Sequence, residues 1–465
     1  MSQKGVNLGE GSVGRLLFKL AVPAIIAQLV NVLYNIVDRI FIGRIPNGDI
    51  AMAGVGVAFP VIMIISAFSA LIGMGGAPLA AIKMGEKDKD GAEKILSNSF
   101  STLIILSIIL TLIIFIFKEK LLWAFGASDV TINYALDYLS IYLMGTIFVQ
   151  IALGMNTFIN TQGFAKMGMV TVMVGAAVNI ALDPILIFGF KMGVKGAAVA
   201  TVLAQMISAI WVLVFFFGKK SILRIRKEFL KPEFKVVFGI MALGISPFIM
   251  QATESLVIIS MNNQLLKHGG DLAVSSMTIM SSIMQVVLLP MMGLTQGAQP
   301  IISYNYGAKK IDRVKRTFKL LITCCLTYTS IMWLGLMLKP DLFVLLFNNN
   351  PKLIEITSWS IRIYFAGIFL FGAQIACQQT FLALGEAKKS LILALLRKII
   401  LLIPLIYILP AILNDKLMAT LLAEPVADII SAATTIICFM IFYKKVLSKK
   451  ILEENEIEEK SQVIR

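Results

Sequence analysis

The sequence is poor in the residues that most enzymes use for acid–base, nucleophilic or metal chemistry. Its 465 residues include one histidine, His268, and four cysteines. All four cysteines lie in apolar runs without CxxC spacing, which is typical of small buried side chains and not of redox or zinc sites. No glycine-rich phosphate-binding loop of the P-loop type occurs. The sequence therefore predicts no enzyme and no cofactor.

Charge is also scarce, and apolar residues take its place. Only 15% of the residues are charged and 58% are hydrophobic, whereas a soluble domain has about 25% charged residues. A helix needs about 20 mostly apolar residues to cross a bilayer, and twelve runs are long enough. They lie roughly at 15–40, 51–82, 95–117, 132–158, 167–189, 194–217, 236–264, 272–303, 317–338, 354–383, 388–412 and 417–443. We predict an all-α integral membrane protein with twelve transmembrane helices.

The basic residues are distributed unevenly along the chain, whose net charge is +15. If the N-terminus is cytoplasmic, the cytoplasmic segments and adjoining helix ends carry 29 Lys and Arg, against 9 for the external segments. This positive-inside bias predicts a multi-pass protein of the cell membrane with both termini in the cytoplasm. The charge then reflects contact with lipid headgroups, and no nucleic-acid partner is expected.

An internal repeat divides the chain in half. At an offset of 222 residues, Gly85 aligns with Gly307 and Tyr142 with Tyr364, and further matches follow in the same register. Each half has six helices, so both enter from the same side and form two parallel six-helix lobes. The predicted N-lobe spans 1–217 and the C-lobe 236–443. A basic cytoplasmic linker, 218–235, joins the lobes, and a charged tail, 444–465, follows.

A few polar side chains interrupt the apolar helices, and a carboxylate in the hydrocarbon layer is costly unless paired or hydrated. Asp38 in helix one and Asp183 in helix five lie at similar predicted depths in the same lobe. Glu254 in helix seven and Arg397 in helix eleven are two more buried charges. We expect Arg397 to form a structural ion pair with Asp428.

A polar stripe precedes the first of these acids. On helix one, amides at spacings of three and four share a face with the carboxylate, and an aromatic residue flanks it. On helix five, Pro184 follows the acid and predicts a kink, because proline cannot donate its backbone hydrogen bond. The predicted substrate-binding residues are Gln28, Asn31, Tyr34, Asn35 and Glu254. The Glu254 carboxylate, next to apolar side chains, favours amphipathic cations as substrates.

Three segments resemble signatures of the multidrug and toxic compound extrusion (MATE) family. The first is the run 34–43, YNIVDRIFIG, and the second is NIALDP at 179–184. The third is QGAQP at 296–300 together with YNYGAK at 304–309. The resemblance covers essentially all of residues 14–443. It implies a cation-coupled antiporter that exports organic cations and drugs.

The resemblance also implies which residues couple the export of substrate to the inward flow of the ion. The positions that match the family's cation or proton site are Asp38, Asn179, Asp183 and Thr201. Asp38, Asn179 and Asp183 would be the metal ligands if Na⁺ is the coupling ion. Helix ten offers glutamines but no acid, which favours the N-lobe over the C-lobe. Na⁺ or H⁺ is then the only ion required, and the protein is expected to be monomeric.

Three other functions remain open. A flippase for a lipid-linked precursor, from the same superfamily, would place several basic residues in the cleft, whereas the cleft helices here carry acids and amides. A membrane-embedded enzyme would need a convergent histidine or acid cluster. A passive channel would need a ring of charges or a filter-like backbone motif. The sequence therefore favours the antiporter, without deciding between Na⁺ and H⁺.

Overall fold

Helices follow the apolar runs of the sequence closely. The computed structural model describes residues 6–347 and 349–447, and in these ranges ten helices are long and apolar enough to cross a membrane, or twelve if each of two bent pairs is one span. In chain order the spans are α1 (Val13–Gly43), α2 (Gly48–Gly85), α3 (Lys89–Ala124), α4 (Ile132–Met144 and Thr146–Thr161), α5 (Ala165–Gly189), α6 (Val194–Phe217), α7 (Phe234–Gly270), α8 (Leu272–Gly307), α9 (Ile311–Leu338), α10 (Pro351–Tyr364 and Ile368–Ala383), α11 (Ala387–Ile412) and α12 (Lys416–Lys445). The predicted all-α membrane fold is confirmed.

The outer surface of the helices is apolar. Leu112, Ile116 and Val214 are 59%, 73% and 65% exposed, and many other large apolar side chains point outward with them. A continuous apolar surface of this kind suits lipid rather than water as the surrounding medium. Helices can present such a surface because their backbone groups are satisfied internally. The protein is thus a multi-pass membrane protein.

The bends in α4 and α10 were not predicted. The two halves of α4 meet at 61° and those of α10 at 49°, beside Gly145 and Gly367, which are equivalent under the 222-residue repeat. A side-chain carbon at Gly145 would lie 2.6 Å from Val202 of α6, and one at Gly367 would lie 3.1 Å from the Pro425 carbonyl oxygen of α12. Each bend therefore occurs where a glycine lets a neighbouring helix approach closely.

The two lobes meet through equivalent pairs of helices. Helix α1 packs against α8, and α2 packs against α7. Under the repeat, α1 corresponds to α7 and α2 to α8, so the two interfaces are copies of each other. This is the relation expected of parallel lobes around an axis along the membrane normal.

Glycines allow the lobes to touch backbone to backbone. A side-chain carbon at Gly85 of α2 would overlap the carbonyl oxygen of Tyr304 in α8, and one at Gly307 would overlap that of Ile82 in α2. These four residues are equivalent in pairs under the repeat. A side-chain carbon at Gly297 would lie 2.6 Å from the Cα atom of Ala21 in α1. The lobes are thus closed against each other on the side where α2 and α8 end.

The segment between the lobes packs on the N-lobe. Gln162, after α4, accepts hydrogen bonds from the backbone N–H groups of Ile222 and Leu223 at 2.7 and 2.8 Å. Arg226 pairs with Asp90 at 2.6 Å. The linker is therefore held in place by specific contacts. Residues 1–5 of the predicted N-lobe and 448–465 of the predicted tail lie outside the described residues.

Candidate cation and substrate site

Polar side chains from α5 and α6 meet inside the N-lobe. The Nδ2 atom of Asn179 donates to Oδ1 of Asp183 and to Oγ1 of Thr201, both at 3.5 Å. Asn179, Asp183 and Thr201 are 1%, 0% and 8% exposed. Because Asn179 and Asp183 are four residues apart, one face of α5 carries both. Three of the residues predicted to couple ion movement therefore form one buried group.

Asp38 of α1 lies close to this group. It is 8% exposed and lines a cavity of about 220 Å³ together with Tyr34 and Thr201. The neighbouring Arg39 guanidinium lies 5.4 Å from the centre of an aromatic ring, that of Phe59.

Three oxygen atoms in this group have no hydrogen-bond partner. They are Oδ1 of Asp38, Oδ1 of Asn179 and Oδ2 of Asp183. Within the described part of the chain, neither aspartate belongs to an ion pair. Buried carboxylates without partners are costly unless they take up a proton or a cation. The arrangement therefore has unfilled capacity for positive charge.

The chemistry of these donors limits the ion. Carboxylate, amide and hydroxyl oxygens are hard ligands, which suit hard cations and not zinc or copper. Across residues 6–347 and 349–447, no group of three or more His, Cys, Asp or Glu could hold a metal ion. The donor set is that of a site for a hard cation or a proton.

The backbone of α5 changes its winding directly after the site. Ala165–Pro184 is α-helical, and Ile185–Gly189 is wound as a π-helix. Pro184 lacks the N–H group that would bond the carbonyl of Ile180. Wider π-helical turns occur frequently at functional sites. In α11 a second π-helical segment, Leu396–Leu402, carries two of the C-lobe charges.

A larger cavity of about 270 Å³ adjoins the acidic group. It is formed by α1, α2, α4, α5 and α6, with further contributions from α7 and α8. The lining that the described residues provide has no charged side chain, but it includes nine amides. These are Gln28, Asn31, Asn156, Asn160, Asn179, Gln205, Gln251, Gln296 and Gln299. The cavity can therefore form hydrogen bonds in many directions.

The two cavities are neighbours. Tyr34, Thr201 and Gln205 line both. Of the predicted substrate residues, Gln28, Asn31 and Tyr34 line the larger cavity, while Asn35 lines the smaller one with Tyr34. A bound molecule and a bound ion would thus share walls.

Several lining amides were missed in the sequence. Asn156 and Asn160 are four residues apart, and Gln296 and Gln299 are three apart. Either spacing puts both side chains on one helix face. Paired amides in apolar runs are the signal that could have identified them.

Glu254 lines neither of these two cavities, and its predicted contact with substrate stays a prediction. Its Oε2 atom accepts a hydrogen bond from the Lys398 ammonium at 2.6 Å. An acid neutralised by a lysine of α11 attracts cations weakly, because the ion pair already satisfies it. Among the buried acids of the described residues, Asp38 and Asp183 are the two that have no basic partner within salt-bridge distance.

Arg397 neutralises two acids of α12. Its guanidinium donates to Asp428 Oδ1 at 2.8 Å and to Glu424 Oε1 at 3.0 Å, and all three side chains are buried. It also lies 4.6 Å from the centre of the Phe371 ring. Glu424 and Asp428 are thus buried together with a counter-charge, in contrast to Asp38 and Asp183 of the N-lobe.

We expect Arg397→Met to destabilise the protein strongly. Removing the guanidinium leaves Glu424 and Asp428 buried without their counter-charge, which typically costs about 3–5 kcal/mol. Thermal unfolding of the purified protein in detergent would measure the loss. A matched control is Arg362→Met, since Arg362 is exposed and donates one long hydrogen bond of 3.4 Å to a carbonyl. Equal melting temperatures of the two variants would contradict the structural role of the pair.

Comparison with known proteins places the whole chain in one family. The MatE family model matches residues 23–185 and 244–408, one block in each lobe. The chain is 26% identical over 419 residues to the multidrug export protein MepA of Staphylococcus haemolyticus, covering 90% of this chain and 92% of that protein. It is 25% identical over 417 residues to MepA of Staphylococcus aureus, covering 89% and 92%.

Solved structures share the fold. A crystal structure of MATE in the bent conformation superposes with a TM-score of 0.90 at 22% identity, covering 97% of this chain and 100% of the other. An outward-facing conformation of a multidrug resistance MATE family transporter gives a TM-score of 0.88 at 23% identity, with the same coverage.

Proposed function

Since the chain belongs to the multidrug and toxic compound extrusion (MATE) family, we propose that it is a secondary active efflux antiporter of the cell membrane. It exports amphipathic organic cations and drugs in exchange for Na⁺ or H⁺ by alternating access. The multidrug export proteins to which it is similar support drug-like substrates. We expect no enzymatic activity and no resident cofactor, and we expect the monomer to be the functional unit.

One observation carries this proposal. Two buried aspartates with unpartnered oxygens, Asp38 and Asp183, lie beside a cavity large enough for a small molecule. Thr201 and Gln205 line both cavities. Binding of an ion at the acidic group would therefore also affect side chains that line the larger cavity. Uptake of one positive charge there would alter the binding of a cationic molecule next to it, which is a coupling between two sites.

Alternating access also requires a contact between the lobes that can open and close, and the glycine contacts between α2 and α8 are of this kind. With both termini in the cytoplasm, Gly85 and Gly307 close the cytoplasmic side. We therefore infer that this conformation faces outward. Separation of the lobes at these glycines, with closure on the opposite side, would give the inward-facing state.

The lining of the cavity also bears on the flippase alternative. A lipid-linked pyrophosphate requires several cationic side chains, and the larger cavity is lined by amides. Among the described residues that line the smaller cavity, Arg39 is the basic one, and it follows Asp38 directly in the chain. These linings favour a cation or an uncharged molecule over a pyrophosphate.

Transport by the purified protein in liposomes tests the proposal. We expect dye efflux from the cytoplasmic face when either an inward Na⁺ gradient or an inward H⁺ gradient is imposed, and none in protein-free liposomes. Imposing the two gradients separately identifies the ion. Dye movement that is equal with and without both gradients would contradict coupling.

A further inference from the structure

We propose that residues 6–12, directly before α1, form a strap across the cytoplasmic ends of the two lobes. The strap holds this side closed and has to leave the C-lobe before the protein opens inward. The inference rests on the proposed alternating access and adds a second cytoplasmic contact to the glycine contacts of α2 and α8. It starts from the way in which side chains of the C-lobe bind a segment that belongs to the N-lobe.

Two C-lobe side chains donate hydrogen bonds to the middle of the strap. The Nδ2 atom of Asn305, near the end of α8, donates to the carbonyl oxygen of Leu8 at 2.9 Å. The Lys310 ammonium donates to that of Gly9, also at 2.9 Å. Asn305 is completely buried, and the Leu8 side chain is 4% exposed and belongs to an apolar cluster with members in both lobes. The strap is therefore packed into the protein and does not merely lie on its surface.

Arg313, at the start of α9, extends this contact. Its guanidinium donates to the carbonyl oxygen of Gly11 at 2.7 Å and to that of Glu10 at 3.1 Å. Its Nε atom donates to Oδ1 of Asn305 at 3.1 Å, so each of the two side chains orients the other. Hydrogen bonds from a charged donor are stronger than those between neutral groups. Four successive carbonyl groups of the strap, 8–11, are thus bound by the C-lobe.

Both ends of the strap are attached to the N-lobe. The backbone N–H of Val6 donates to the carbonyl oxygen of Gly163, in the turn between α4 and α5, at 3.4 Å. A side-chain carbon at Gly163 would lie 2.7 Å from the Val6 carbonyl oxygen, and its φ of +82° favours glycine. At the other end, Ser12 leads directly into α1. Because the ends belong to one lobe and the middle is bound by the other, the lobes cannot separate here without breaking one set of contacts.

The internal repeat shows that the fold of the C-lobe turn does not itself require these three side chains. At the offset of 222 residues, Asn305, Lys310 and Arg313 correspond to Lys83, Asp88 and Gly91. In the N-lobe Lys83 pairs with Asp88 at 3.1 Å, and the turn between the second and third helices forms all the same. The three C-lobe side chains are therefore explained by the strap that they bind.

Removing the guanidinium should favour the inward-facing state. In Arg313→Met the closed state loses its hydrogen bonds to two carbonyl groups of the strap, whereas a state with the strap detached loses none of them. Hydrogen bonds to a charged group change an equilibrium by about tenfold or more. The ratio of inward-facing to closed protein should rise by about this factor.

Labelling from the cytoplasmic side measures this ratio. The reporter is Ala70→Cys, in the lining of the larger cavity, in a background without native cysteines. A membrane-impermeant maleimide should label it about tenfold faster in Arg313→Met than in the parent protein. Lys310→Met, at an exposed position where the substitution does not disturb the core, should give a smaller, several-fold increase. The matched control, Arg316→Met, removes an exposed arginine one turn further along α9 and should label at the parental rate.

A second reporter separates release of the strap from general loosening. Gly56 lines the smaller cavity, and a side-chain carbon there meets nothing within 4 Å. External labelling of Gly56→Cys should not increase in Arg313→Met. An equal increase at both reporters, or parental rates of cytoplasmic labelling in both strap variants, would overturn the inference. Gradient-driven dye efflux by the parent protein is measured separately: its absence would count against the proposed function and would leave the comparison of labelling rates in force.

Discussion

Asp183→Asn should reduce gradient-driven efflux to the level of protein-free liposomes. The carboxylate is completely buried and hydrogen bonded to Asn179. An amide has nearly the same shape but cannot be protonated at neutral pH and provides no negative charge for Na⁺. Because the coupling ion is proposed to be held by the two carboxylates together, the Asp38 carboxylate alone should no longer take it up, and an ion gradient can no longer drive substrate movement. Asp38→Asn should have the same effect.

Expression and thermal stability should remain close to wild type in both variants, because neither aspartate belongs to an ion pair within the described ranges. Asp137→Asn is the matched control: Asp137 pairs with Lys195 at 3.4 Å, and both side chains are about half exposed. Such surface pairs contribute little, about 0–1 kcal/mol. If either buried-site variant transports at the wild-type rate, the N-lobe site does not couple the two movements.

Gly85→Ala should shift the protein away from the closed cytoplasmic side. The added methyl group would overlap the Tyr304 backbone carbonyl, and a backbone cannot move aside as a flexible side chain does. Overpacking of this kind costs about 1–3 kcal/mol, which changes the ratio of two conformations by about 5- to 150-fold. Gly307→Ala should have the same effect through Ile82. In both variants transport should slow by about fivefold or more, since one of the two states becomes rare.

Labelling of a cysteine in the cavity measures the shift. Ala70 lines the larger cavity, and Ala70→Cys in a background without native cysteines reports which side reaches it. A membrane-impermeant maleimide added to the cytoplasmic side should label Gly85→Ala faster than the parent protein. Gly239→Ala is the matched control, because a side-chain carbon at this α7 position meets nothing within 4 Å. Unchanged labelling and transport in Gly85→Ala would show that the glycine contacts do not control the opening of the cytoplasmic side.

The sequence was sufficient for the spans, and for a physical reason. Lipid forces each crossing segment to be long, apolar and helical, so composition alone predicts the run 194–217 that the structure has as Val194–Phe217. The bends at Gly145 and Gly367 do not follow from composition, since they depend on how closely α6 and α12 approach. Tertiary packing of this kind is encoded by residues far apart in the chain.

The site was predictable to the extent that it depends on a single helix. Asn179 and Asp183 share a face because of their spacing, and the structure places them in hydrogen-bond contact. The pairing of Glu254 with Lys398 joins residues 144 positions apart. A helical rise gives the depth of each residue but not its neighbour on another helix, which is why Lys398 was not predicted as the partner of Glu254.

In the proposed antiporter, a cation and a substrate use the N-lobe in exchange for each other. Coupling between two fluxes is reciprocal, so a substrate gradient must drive the ion just as the ion drives substrate. In liposomes without an ion gradient, an imposed dye gradient should move Na⁺ or H⁺ in the opposite direction. The flow should be absent in Asp183→Asn and present in Asp137→Asn. Dye movement by the wild type without any opposing ion flow, or an equal flow in Asp183→Asn, would contradict the account.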